Sequence, residues 1–150
     1  MNWKKLQNGS DIRGVALEGI EGEHVNLTPE VIETIAKSFV RWIRNTIGCQ
    51  TPKIAIGTDS RLSGATIKNA FIKGAVEAGA DIMDCSLAST PAMFMTTVND
   101  DVQATASVMV TASHLPYNRN GLKFFTPKGG LDNRDIANIL DIAERGDYAY

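Results

Sequence analysis

The 150 residues are about enough for one domain with a single buried core. A hydrophobic share of 43% beside 21% charged residues is that of an ordinary globular protein, and no apolar run reaches the length of a membrane span. The net charge is −2 and the 15 Lys and Arg are scattered, which argues against a nucleic-acid or membrane surface and for a small partner. The first residues, Met1-Asn2-Trp3-Lys4-Lys5, lack the apolar segment of a signal peptide, and Cys49 and Cys85 stand in no metal-ligand spacing. The expectation is a cytoplasmic protein with reduced thiols.

Residues 9–14 read Gly-Ser-Asp-Ile-Arg-Gly, a turn-prone segment that by itself looks like a strand edge with a surface arginine, Arg13. Thr28, Pro29 and Glu30 form a helix start: an N-cap, a proline in the first turn and an acid beside it. Val31, Ile35, Phe39 and Ile43, beside Ile32, Ala36 and Val40, then draw one broad apolar stripe that ends near Gly48. Residues 53–57 read as a buried strand. The loop after it, Thr58-Asp59-Ser60-Arg61-Leu62-Ser63-Gly64, has neither the Walker ending nor the dinucleotide glycine spacing. A structural role, with Asp59 and Arg61 bonding the loop and Ser63 capping the next helix, is expected ahead of the alternative, direct contact with substrate.

That helix spans residues 64–78, with Ile67, Ala70, Phe71, Ala75 and Val76 inward and Gly79 as its stop. Residues 81–87 are the next strand. Thr90 and Pro91 restart a short helix whose methionines suit packing better than metal binding. Residues 103–110 are a third strand. The connection from Val110 to Leu122 is too short and too rich in turn residues for a crossover helix, so the strand at 122–126 returns antiparallel. After a turn at 127–130, Asp132 caps a last helix bearing Ile136, Ile139, Leu140 and Ala143. The order implies a single α/β layered domain over residues 1–150, with helices on both faces of a mixed four-stranded sheet: three parallel strands and one antiparallel edge.

The loop from Thr111 to Lys123 carries the chemistry. It offers a hydroxyl at Ser113, an imidazole at His114 and an ammonium at Lys123, just past the carboxyl end of a strand, where α/β sheets hold their ligands. It is not a hydrolase elbow, because Thr111 and Leu115 stand where that turn needs glycines, and neighbours in an extended backbone point apart, so His114 is badly placed to deprotonate Ser113. A serine can serve instead as a phosphate carrier, which needs only cations and donors around it, and Lys123, Arg119 and His114 could supply them.

The string Thr-Ala-Ser-His-x-Pro at 111–116, followed by Asn-Gly-x-Lys at 120–123, resembles the serine loop of the α-D-phosphohexomutases, the superfamily of phosphoglucomutase and phosphomannomutase. The Asp-Ile-Arg-Gly at 11–14 and the Gly-x-Asp-x-Arg-x-Ser at 57–63 resemble two further motifs of that superfamily. The resemblance runs from near residue 8 to the end and is to the first of four domains. Many members carry asparagine where this chain has Leu115.

The resemblance implies a hexose phosphate mutase, an isomerase interconverting hexose 1-phosphate and hexose 6-phosphate through a phosphoserine at Ser113. His114 and Lys123 would act beside it, Arg13 would face the cleft, and Arg119 and Asn120 are further expected phosphate contacts. It also implies Mg²⁺, touching this chain only through the phosphate on Ser113 and taking its other ligands from a second domain, with a hexose 1,6-bisphosphate as activator. The remaining domains of a longer chain are the implied partners, and these residues alone are expected to be nearly inactive. A non-catalytic phosphosugar-binding module of the same fold is the alternative, and a purely structural domain the third reading.

Overall fold

Helix α1, Pro29–Thr46, begins where its capping residues place it. The Thr28 hydroxyl accepts from the Val31 N–H at 3.3 Å, and Pro29 fills the first turn, where its missing N–H is no loss. The computed structural model describes residues 2–99, 101–111 and 115–149. Three further helices follow: α2, Gly64–Glu77; α3, Thr90–Val98; and α4, Asn133–Arg145. The strands are β1, Gln7–Asn8; β2, Asp11–Val15; β3, Lys53–Thr58; β4, Asp81–Leu87; β5, Ala106–Val110; β6, Arg119–Thr126; and β7, Gly129–Gly130.

The sheet order is β1-β2-β6-β5-β3-β4, with β7 paired to β6. β4, β3 and β5 are parallel; β6 returns antiparallel to β5, and β2 is antiparallel to β6. The mixed sheet with helices on both faces is therefore as expected, but the described residues form seven strands rather than four, and the antiparallel strand is not its edge. Gly9, at φ +58°, folds β1 onto β2, and β2 then covers the open side of β6, from Asp11 opposite Lys123 to Val15 opposite Arg119. The third parallel strand also starts later than residue 103: Gln103 sits at φ +47° and β5 opens at Ala106.

One face of the sheet carries α1, α2 and α4 over a core of Ile12, Ile54, Ile56, Val108, Leu122 and Phe124. The ring of Phe39 on α1 lies 4.6 Å from that of Phe124 and 6.4 Å from that of Phe71, tying helix, helix and sheet together. On the other face, α3 drops Met93 against Ala55, Met109 and Phe125. Gly57 permits that approach, since a Cβ there would lie 2.6 Å from Met93 Sδ. α4 opens with a capping box between Asp132 and Asp135; the N–H of Asp135 holds the Asp132 carboxyl below the usual carboxylate range. Among the described residues no helix is long and apolar enough to cross a membrane.

One inward residue of α2 differs from the sequence reading. Val76 is exposed, and Gly74 takes the buried position because α1 passes too close for a side chain. A Cβ on Gly74 would collide with the backbone oxygen of Glu33. Gly74→Ala is therefore expected to destabilise the fold by about 1–2 kcal/mol, overpacking outweighing the gain in helix propensity. Urea unfolding should show a lower midpoint at an unchanged slope; a midpoint equal to or above that of the parent would contradict the close helix crossing.

Candidate active site

The carboxyl ends of β2, β3 and β5 and the start of β6 meet at one rim of the sheet, because β2, β3 and β5 run in one direction and β6 in the other. The loop joining β5 to β6 begins and ends at this rim. Ser113 and His114 lie outside the described residues, but both stems of their loop are described, and each is anchored to the loop after β3.

Asp59 and Arg61 make that anchor. The Thr111 hydroxyl donates to Asp59 Oδ2 at 2.7 Å, and Asp59 N donates to Val110 O at 3.2 Å. Across the loop, Arg61 Nη1 donates to Pro116 O at 2.8 Å and to Arg119 O at 3.2 Å. The two anchors are joined, since Arg61 N donates to Asp59 Oδ1 at 3.1 Å and its guanidinium lies 3.7 Å from Asp59 Oδ2. The bond between Asp59 and Arg61 inside their own loop is as the structural reading expects; that the carboxylate also holds the entry stem and the guanidinium the exit stem of the next loop goes beyond it. Ser63 departs from its expected capping role. It occupies the N-cap position of α2 with helical backbone angles and no side-chain cap bond, and its hydroxyl accepts from Asn120 Nδ2 at 2.8 Å instead.

Asn120 is fully buried, with its Oδ1 accepting from the Gly121 N–H at 2.8 Å. The expected phosphate contact at Asn120 thus meets an amide already held by the protein, on the sheet face beneath the helices. Arg119 lies on the opposite face, at the same alternation as Lys123, and its guanidinium donates through Nε and Nη2 to Glu23 Oε1 at 3.0 and 2.7 Å. Those bonds hold the Glu23 carboxyl below its usual range. Asn118 adds to this second flank: its carbonyl accepts from Ala16 N and Leu17 N, and its amide donates to Glu23.

Arg13 and Lys123 share the sheet face that α3 covers over β3, β5 and β6. Arg13 pairs with Gly121, and Thr111 N donates to Gly121 O, so a single strand separates Arg13 from the serine stem. Gly121 is required there, because a Cβ on it would collide with the backbone oxygen of Ile12. Between the two cations sits Asp11, receiving Arg13 Nη2 at 2.9 Å and Lys123 Nζ at 3.4 Å. Sequence reasoning gave no role to Asp11, Glu23 or Asn118. Asp11 had a signal, since it stands two residues before Arg13 in a strand and must share its face. Glu23, in a loop far along the chain from Arg119, had none.

The two-sided anchor is open to direct test. Arg61→Ala removes a charged donor from two carbonyls and is expected to destabilise the fold by about 2 kcal/mol, with faster hydrogen exchange at the Arg119 amide, which donates to Pro116 O. Arg61→Lys cannot reach both carbonyls with one point charge and should recover less than half of the loss. Parental exchange at Arg119 in both variants would contradict the anchor.

Residues 4–149 match the family model described as phosphoglucomutase/phosphomannomutase, alpha/beta/alpha domain I. The chain is 38% identical over 141 residues to a phosphoglucosamine mutase of Exiguobacterium sibiricum, covering 91% of this chain and 29% of that protein. It is 34% identical over 139 residues to a phosphoglucomutase/phosphomannomutase of Thermococcus kodakarensis, covering 92% of this chain and 28% of that one. The chain thus spans under a third of the length of these relatives. In fold it is similar to a phosphoglucomutase/phosphomannomutase family protein of Burkholderia thailandensis, with a TM-score of 0.77 over 94% of this chain and 30% of that structure at 22% identity. With loop motifs, sheet topology and family model in agreement over nearly its whole length, the chain belongs to the phosphoglucomutase/phosphomannomutase family and corresponds to its domain I.

Proposed function

We propose that this chain supplies the phosphoserine of a hexose phosphate mutase, with Ser113 as the carrier. The observation that supports this most is the pairing of a loop anchored on both stems with two cations, Arg13 and Lys123, on the adjoining sheet face. In the forward half-reaction the bond from phosphorus to Ser113 Oγ breaks as one to a hydroxyl of the hexose phosphate forms, and the hydroxyl proton ends on the serine oxygen. The resulting hexose bisphosphate turns over and returns its other phosphate to Ser113. Arg13 and Lys123 offset the charge of the moving phosphoryl group, and His114 carries a proton at the sugar hydroxyl. Arg61, Asp59 and Asn120 hold the loop in register.

Mg²⁺ would help offset the same charge when bound. Among the described residues no group of three or more His, Cys, Asp or Glu side chains could hold it, and the carboxylates bonded to this loop or its cations, Asp11, Glu23 and Asp59, are each tied to a cation. In this reading the ligands other than the phosphate on Ser113 come from beyond these residues. A hexose 1,6-bisphosphate would charge the serine before the first turnover.

In the full-length protein carrying this chain, Ser113→Ala is expected to lower mutase activity by about a thousandfold or more without loss of folding. Retained activity in a coupled assay with hexose 1-phosphate would sink the carrier role. Binding of hexose phosphate by a parent protein with no mutase activity would favour the non-catalytic module. Lys123→Met should lower kcat by roughly ten- to a hundredfold, the scale of removing one donor from developing charge, and an unchanged kcat would remove Lys123 from the chemistry.

A further inference from the structure

We propose that Asp11 is the shared counter-ion of Arg13 and Lys123 and a positioning residue for phosphoryl transfer; this rests on the reading of the site given above. The Asp11 side chain is 8% exposed, so its charge must be paired within the fold. It receives the two cations on separate oxygens, Arg13 Nη2 on Oδ2 at 2.9 Å and Lys123 Nζ on Oδ1 at 3.4 Å. Register enforces the grouping: Asp11 lies directly opposite Lys123 across β2 and β6, and Arg13 follows two residues later on the same face.

The cluster of one carboxylate and two cations keeps one excess positive charge, and its donors are not exhausted. Arg13 Nε is buried with no hydrogen-bond partner among the described residues. The half-exposed ammonium of Lys123 is open to an arriving anion, and the guanidinium beside it has a donor to spare. The carboxylate between the cations does two things. It stops them from repelling each other out of place, and it holds both on long side chains that would otherwise close around any phosphate. The cost of that restraint is weaker ground-state binding of phosphate; the gain is that both charges stand where the transferring group passes.

This predicts a divergence of binding and turnover. In the full-length protein, Asp11→Asn keeps the shape and removes the charge. Inorganic phosphate should then bind about fivefold tighter by calorimetry, while kcat with hexose 1-phosphate falls about tenfold or more and KM does not rise. Asp11→Glu restores the charge on a longer stem, so phosphate affinity should return to within about twofold of the parent while kcat recovers only in part. A merely structural Asp11 would give instead a lower melting temperature with kcat and phosphate affinity falling together, and that result would overturn the proposal, as would parental kcat in Asp11→Asn. If Asp11→Asn does not fold, Asp11→Glu decides: parental kcat overturns the assignment and reduced kcat at parental phosphate affinity supports it. If the parent has no mutase activity, the mutase reading fails separately. The phosphate measurement then still stands, tighter binding in Asp11→Asn supporting the counter-ion and unchanged binding overturning it.

Discussion

The joined pair Asp59–Arg61 is the constraint on which the site depends. In the proposed role the loop between β5 and β6 carries a reactive hydroxyl, and its stems have to be held in place. Here the entry stem is held by a carboxylate and the exit stem by a guanidinium, and the two holders are bonded to each other in the turn after β3. Because β3 and β5 are parallel neighbours, the turn that leaves one lies beside the loop that leaves the other. The parallel pairing is thus what lets one short motif reach both stems. Asn120 bonded to Ser63 repeats the connection from below, between β6 and the start of α2.

The sheet itself divides labour by face. Three helices seal one side around Phe39, Phe71 and Phe124, giving a rigid base. On the other side α3 seals the core of Met93, Met109 and Phe125, while Asp11, Arg13 and Lys123 follow on β2 and β6. Charge is placed beside packing rather than in it. The alternation of side chains along β6 makes this possible: Leu122 and Phe124 enter the helical core, Gly121 and Lys123 face the other way, and Phe125 closes under α3.

Much of this was legible in the sequence where local chemistry decides. Thr28-Pro29 and Asp132 mark their helices because a cap must sit one residue before the first turn, and both do. The apolar stripe of α1 and the antiparallel return of β6 follow from periodicity and loop length. What escaped depends on long-range pairing. β2 is a five-residue strand with a glycine and two charges, so only its partner β6 reveals it as part of the sheet interior. Gly74 is inward because another helix passes there, which no pattern within α2 records. Within the site, the bond between Asp59 and Arg61 inside their own loop could be read from their spacing, but their reach to the stems of the next loop could not, and Ser63 was drawn from a cap to a buried amide that lies 57 residues away along the chain.

The central claim is that Ser113 carries a phosphoryl group between the positions of a sugar. The most direct measurement is intact mass with phosphopeptide mapping of the full-length protein carrying this chain, before and after incubation with a hexose 1,6-bisphosphate and Mg²⁺. One phosphoryl group is expected after incubation, located on Ser113 and lost again on addition of excess hexose phosphate. A folded protein that takes up none, or takes it on another residue, would contradict it.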